Sequence, residues 1–243
     1  MKKYNAYQLK LAMAALMVLD HIYIIPGLVS PSWEGIFHAL TRCVGVYFAY
    51  MAVEGFIHTR NLKAYLLRLF SWGMFMAGGN ALLNLLYQSR QIHLENNIFL
   101  TLAMGVLMLT FFYRFSSLSK GWYLVAGVLT LLAGSFLTEG GIVILPFMLI
   151  SYVCRERKIL RNSLYLLLSA FLLIMSYTAC PSWQETLEML LYNSDFLFIS
   201  VLLLLALYNG ERGPKTSFSK YFFYVFYPAH LWLLATLAFF MAG

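Results

Sequence analysis

Residues 97–115 read NIFLTLAMGVLMLTFFYRF, and the first charged side chain in that run is Arg114. As a 3.6-residue helix the run is apolar on every side, not along one stripe, and it has about the 20 residues that a bilayer core demands. A helix with no polar face has nothing to offer water, so its solvent is lipid. The same rhythm recurs at 10–29, 35–57, 64–87, 121–137, 140–154, 161–180, 194–209 and 218–241. We therefore expect an all-α, polytopic integral membrane bundle of about nine transmembrane helices, forming one domain over residues 1–243. The runs 121–137 and 140–154 are short and joined only by Thr138-Glu139-Gly140-Gly141, which reads as a hairpin that dips into the bilayer or just spans it.

Composition agrees. The chain is 61% hydrophobic and 11% charged, against about 25% charged in soluble domains. The basic residues alternate with the apolar runs. One side receives Lys2, Lys3 and Lys10, then Arg60, Lys63 and Arg68, then Arg114 and Lys120, then Arg155, Arg157, Lys158 and Arg161, then Arg212, Lys215 and Lys220. The other side receives Arg90. Lys/Arg-rich loops stay in the cytoplasm, so the N-terminus is expected there and the C-terminus outside. The net charge of +7 is thus a topology signal, and no basic, aromatic-interleaved soluble surface offers itself to nucleic acid. The opening Met1-Lys2-Lys3 followed by an apolar run resembles a signal peptide, but Asp20 and His21 interrupt it and no small-residue cleavage site is well placed, so it reads as an uncleaved first helix. Cys43, Cys154 and Cys180 are too scattered for a disulfide framework or a metal site.

Ionisable groups inside the hydrocarbon cost several kcal/mol, roughly 2.5–3.5 even on lenient scales, so the few present need a reason. Lys10 and His21 lie almost three whole turns apart on one helix face, roughly 16 Å along the axis. The pair places a cation fit to hold an anion at the cytoplasmic surface in line with a base at mid-depth. The plainer reading is a snorkelling Lys and a His bonded to a carbonyl. Asp20 adjoins His21, and a buried acid beside an imidazole is hard to explain by packing alone. Arg42 falls about two turns into the second run, where it either snorkels outward or serves a site. Asn80 and Asn84 extend a small and polar stripe with Gly73 and Ala77; Asn97, Thr101 and Gly105 form another. Such amides bind acceptors or simply join helices. In the last run Tyr227 and His230 share a face around Pro228, and His230 is expected at the depth of His21, which suggests one polar cavity shared by both.

Together these segments resemble a known pattern. The run Leu9-Lys10 … Met17 … Asp20-His21-Ile22 resembles the opening of the TraX family, the conjugative F-pilin N-acetyltransferases and their bacterial relatives. Arg42 … Val46-Tyr47-Phe48-Ala49-Tyr50-Met51-Ala52-Val53-Glu54-Gly55-Phe56 is similar to that family's second helix, and Thr59-Arg60-Asn61-Leu62-Lys63-Ala64-Tyr65-Leu66-Leu67-Arg68-Leu69 is the most specific segment. Asn97, Phe99, Thr101 and Gly105 resemble its fourth helix, and Tyr227-Pro228-Ala229-His230-Leu231 its last. One departure stands out: the family usually has Gly before its second-helix Arg and Phe-Pro soon after, where this chain has Thr41 and Val46-Tyr47.

The family is similar to the wider transmembrane acyltransferases, which share a basic residue, ten residues, then His, as Lys10 and His21 do. The resemblance implies an acyltransferase of the bacterial cytoplasmic membrane, moving an acetyl group from acetyl-CoA to an amine or hydroxyl of an envelope or exported peptide, pilin or glycan. In that reading Lys10, Arg60, Lys63 and Arg68 hold the coenzyme A phosphates, and His21 is the general base. Asp20 orients an imidazole; because successive helical residues point about 100° apart, the imidazole it serves is expected to be His230. Arg42, Asn80 or Asn97 stabilises the oxyanion or binds the acceptor, Tyr227 joins the acceptor site, and no metal is required. The rival from another class is a small proton-coupled transporter or channel, since intramembrane Asp, His, Arg and Tyr also build proton relays. Against it, no inverted repeat is visible. A catalytically dead assembly factor is a third reading.

Overall fold

The computed structural model describes residues 3–241. The protein is all-α: among the described residues the only bridge is an isolated parallel one between Tyr4 and Tyr208. The described residues form eleven α-helices, α1 (Ala6–Asp20), α2 (Pro31–Thr41), α3 (Cys43–His58), α4 (Leu62–Tyr87), α5 (Ile98–Leu118), α6 (Gly121–Leu137), α7 (Gly141–Val153), α8 (Lys158–Ser176), α9 (Trp183–Tyr192), α10 (Val201–Leu207) and α11 (Ser217–Met241).

Among the described residues five stretches are long and apolar enough to cross a bilayer: Pro31–His58, Leu62–Arg90, Ile98–Leu118, Lys158–Ser176 and Ser217–Met241. They correspond to five of the nine expected runs. Their outer faces carry what lipid tolerates; α8 leaves Leu166, Leu167, Phe171, Ile174 and Met175 exposed, a patch that water would not tolerate on a stable monomer.

The other four runs are shorter, each for a local reason. The run expected at 10–29 becomes α1, which stops at Asp20, then a 3-10 turn Ile22–Ile24. Pro26 has no N–H and bars residue 25 from helical ψ, and Gly27 turns the chain at φ +75°. The hairpin helices α6 and α7 span only ~26 and ~20 Å at 1.5 Å per residue, less than the ~30 Å hydrocarbon core. Gly140 makes their turn at φ +61°, and a Cβ on Gly141 would collide with the Gly134 carbonyl, so α7 starts hard against the end of α6. The run expected at 194–209 is a 3-10 helix, Ser194–Ser200, leading into α10. With α9, which lies outside the nine expected runs, it forms a pair bent by 62° that counts as a sixth crossing if taken as one broken span. Ser182 caps α9 by accepting from the Glu185 N–H at 3.1 Å.

The chain divides into two compact units. The first contains the chain up to Tyr47, Asn80–Leu94, and everything from Leu166 on; α1 packs there on α2 and α11, and α2 on α9. Its start is tied down by a capping box, in which Asn5 accepts from the Gln8 N–H and Gln8 accepts from the Asn5 N–H, both at 3.0 Å. The Tyr4 backbone also pairs with Leu207 and Asn209. The second unit, Phe48–Gly79 with Glu95–Tyr165, has α5, α6 and α7 packed on one another. Asn97 caps α5 and donates from Nδ2 to the Gly73 carbonyl of α4 at 2.9 Å.

The expected orientation has a direct check. Reporter fusions after residues 62, 118, 158 and 214 should report cytoplasm, and fusions after 32, 92 and 185 the outside. Fusions at 158 and 185 on one side would show that α8 does not cross.

Candidate functional site

The C-terminal end of α1 and the middle of α11 meet in the first unit. His21 and His230 are both buried, with His21 Nδ1 3.2 Å from His230 Nε2. His230 Nδ1 lies 2.9 Å from the Phe226 carbonyl one turn back. A carbonyl only accepts, so His230 carries its proton on Nδ1 and presents Nε2 as an acceptor. His21 Nδ1 therefore donates, toward His230 Nε2 and toward the Met17 carbonyl at 2.8 Å. In a neutral imidazole that leaves the lone pair of His21 on Nε2, which takes no hydrogen bond from the described residues. Two acceptors behind Nδ1 and a bare Nε2 in front are what a positioned base needs. Tyr227 stands beside both rings, 6.3 Å from His21 and 5.7 Å from His230 between centroids.

Asp20 points elsewhere, as its place one residue from His21 requires. Its Oδ1 accepts from Arg42 at 2.8 Å and from the Thr41 hydroxyl at 2.5 Å. It is not bonded to His230, so the expected orienting role gives way to an ion pair: a guanidinium within reach offers a carboxylate far more than a second imidazole does. Each guanidinium nitrogen of Arg42 has a partner. Its Nε donates to the His38 carbonyl at 3.0 Å and its second terminal nitrogen to Asp195 at 3.2 Å. His38 Nδ1 in turn is 3.0 Å from the Ser194 hydroxyl. Arg42 thus joins the end of α1, the α2–α3 junction and the 3-10 helix after α9. Thr41, Asp195, His38 and Ser194 were not named as site residues from sequence. Thr41 had a signal, since it is the residue that departs from the family's usual Gly; Asp195 had none, because its run was expected as a plain spanning helix.

The remaining candidates are distributed. Asn80, in the first unit, accepts from Trp232 Nε1 of α11 at 2.9 Å, which ties its end of α4 to the helix that carries His230. Lys10 lies on α1 with Nζ 5.6 Å from the centre of the Phe223 ring. Asn97 belongs to the second unit and its side chain is occupied in capping and in joining α4 to α5; its backbone N–H donates to Glu139. That is the interhelical role that amide stripes fill. Arg60, Lys63 and Arg68 also lie in the second unit. Arg60 and Lys63 are exposed, and Arg68 packs its guanidinium 5.3 Å from the Tyr65 ring.

The ion pair carries a graded prediction. Thr41→Gly removes one ligand of Asp20 and leaves Arg42, so unfolding stability should fall by only about 1 kcal/mol. Chemical denaturation in detergent checks this, and a loss as large as that of Arg42→Ala would mean that Thr41, not Arg42, holds Asp20.

Residues 6–238 match the family described as TraX protein. The chain is 27% identical over 248 residues to the probable fimbrial assembly protein FimC, serogroup H1, of Dichelobacter nodosus, covering 98% of this chain and 97% of that protein. No solved structure matches.

Proposed function

The chain belongs to the TraX family, and from that premise we propose that it is a membrane-embedded acyltransferase that moves an acetyl group from acetyl-CoA to an amine or hydroxyl of an exported acceptor in the bacterial cytoplasmic membrane. The similar protein of Dichelobacter nodosus is named for fimbrial assembly, which favours a pilin-type polypeptide as acceptor. The observation that carries the chemistry is the His21–His230 pair, with its bare Nε2 and its two acceptors behind Nδ1.

In this reading the acceptor amine attacks the thioester carbonyl while His21 Nε2 takes its proton. The imidazolium so formed keeps its Nδ1–H between the Met17 carbonyl and His230 Nε2. The tetrahedral intermediate then collapses, the C–S bond breaks, and the thiolate leaves with the proton that His21 returns. His230 acts as an orienting partner, in the place where a carboxylate stands in a Ser-His-Asp triad. The Asp20–Arg42–Asp195 network holds α1 in register and is a positioning device. Lys10, on the same helix as His21, is the cation for the donor's phosphates.

Purified protein given acetyl-CoA and a pilin-type peptide should release free thiol. A proton-coupled transporter would release none, and that result would remove this reading. Lys10→Ala should raise the KM for acetyl-CoA roughly tenfold, the worth of one charge-assisted bond, with a smaller change in kcat. A loss of kcat at saturating donor with KM unchanged would count against the phosphate role.

A further inference from the structure

The second unit holds a cation that the histidine pair does not use. Arg161, in the first turn of α8, is 9% exposed, while Arg157 and Lys158 just before it are exposed. Its guanidinium carbon lies 5.8 Å from the centre of the Tyr50 ring and 5.9 Å from that of Tyr165. The Tyr165 wall is fixed: its ring stacks on Phe147 at 4.5 Å, and its hydroxyl is 2.6 Å from Ser151 Oγ. Ser151 Oγ donates to the Phe147 carbonyl, so it is Tyr165 that donates to Ser151.

The acceptors that Arg161 reaches are neutral. They are Asn162 Oδ1, at 3.3 and 3.4 Å, and the Tyr50 hydroxyl. Among the described residues no carboxylate stands within ion-pair distance of it. Glu54, one turn along α3 from Tyr50, is instead 3.7 Å from His58. A guanidinium is always charged and has five donors, and leaving one buried without a counter-charge is among the costliest arrangements a fold can hold. The first turn of a helix adds to the problem, because its backbone N–H groups favour an anion there and oppose a cation. Both features are relieved by the same thing, an oxyanion seated against Arg161.

We propose that Arg161 and Tyr50 form a binding site for a phosphate group. The planar fork of Arg matches phosphate oxygens two at a time, the Tyr50 hydroxyl supplies a further polar contact, and Arg157 and Lys158 draw the anion in. Three sources share that chemistry: a soluble phosphate ester such as coenzyme A, the headgroup of an anionic lipid, and inorganic phosphate or pyrophosphate.

Thermal unfolding of the full chain tests the site with each source as probe: coenzyme A and pyrophosphate in detergent, and nanodiscs with and without phosphatidylglycerol. At about 100 times its Kd, at least one probe should raise the wild-type Tm by roughly 5 °C. Arg161→Gln should lose that rise, and without probe it should melt no lower than wild type, because it removes an unpaired charge. Arg161→Lys keeps the charge without the fork and should bind at least tenfold more weakly; it serves as the test if the Gln variant does not purify. A response to coenzyme A and pyrophosphate identifies a soluble ester, and a response confined to phosphatidylglycerol identifies a headgroup. The proposal is overturned if Arg161→Gln or Arg161→Lys responds like wild type, or if no probe shifts the wild-type protein.

Discussion

His21→Ala should insert, purify and bind acetyl-CoA normally, yet turn over roughly 10²–10⁴-fold more slowly, the usual loss when a positioned base is removed. Folding should survive because the deletion also removes the cost of burying a polar ring. The ring's hydrogen-bond partners are the Met17 carbonyl and His230; the first belongs to its own helix and the second keeps its bond to Phe226. His21→Gln separates geometry from basicity, since its amide keeps a hydrogen bond but cannot take a proton at neutral pH. It should be as slow as the Ala variant. His230→Ala should lose less, because Met17 still accepts from Nδ1 of His21. A dead His230→Ala beside a near-normal His21→Ala would invert the assignment and make α11 the helix that carries the base.

Arg42→Ala should be the most destabilising change at the site, by about 2–3 kcal/mol, because it leaves Asp20 and Asp195 without the cation they share. Most of the loss should come from Asp20, whose side chain is 18% exposed, and little from Asp195 at 45%, since exposed pairs contribute little. Removing the charge on Asp20 as well should recover much of it. Denaturant midpoints of Arg42→Ala, Asp20→Asn and the double variant measure this, and strictly additive losses would show that the two residues do not depend on each other. Activity should fall with stability, since the pair holds the end of α1 that presents His21.

The long spans were legible because nothing local competes with hydropathy in them: the runs expected at 64–87, 97–115 and 218–241 are met by Leu62–Tyr87, Ile98–Leu118 and Ser217–Met241. The first span was over-read. Ile22 to Ile25 is as apolar as any spanning segment, but Pro26 and Gly27 outweigh that, and the helix ends at Asp20, nine residues short of the expected end at 29. The bent α9–α10 region was missed because Leu197 to Leu207 averages as a span. The polar residues Asn193, Ser194 and Asp195 that open the bend stand at the margin of that apolar run and read as its end, although Asp195 and Ser194 meet Arg42 and His38. At the site itself, the 100° step between Asp20 and His21 was readable and correctly separates their partners; which partner Asp20 takes was not. That choice belongs to Arg42 and Thr41, brought in by the break between α2 and α3, and a break at an otherwise apolar run leaves little trace in sequence.

Transfer of isotopically labelled acetyl from acetyl-CoA to a pilin-type polypeptide, followed by mass spectrometry of that polypeptide, tests the central claim most directly. The account predicts label on the acceptor with wild-type protein and almost none with an equally folded His21→Ala variant. Label appearing equally with both proteins, or no label while the wild-type protein carries protons across a sealed vesicle, would contradict it.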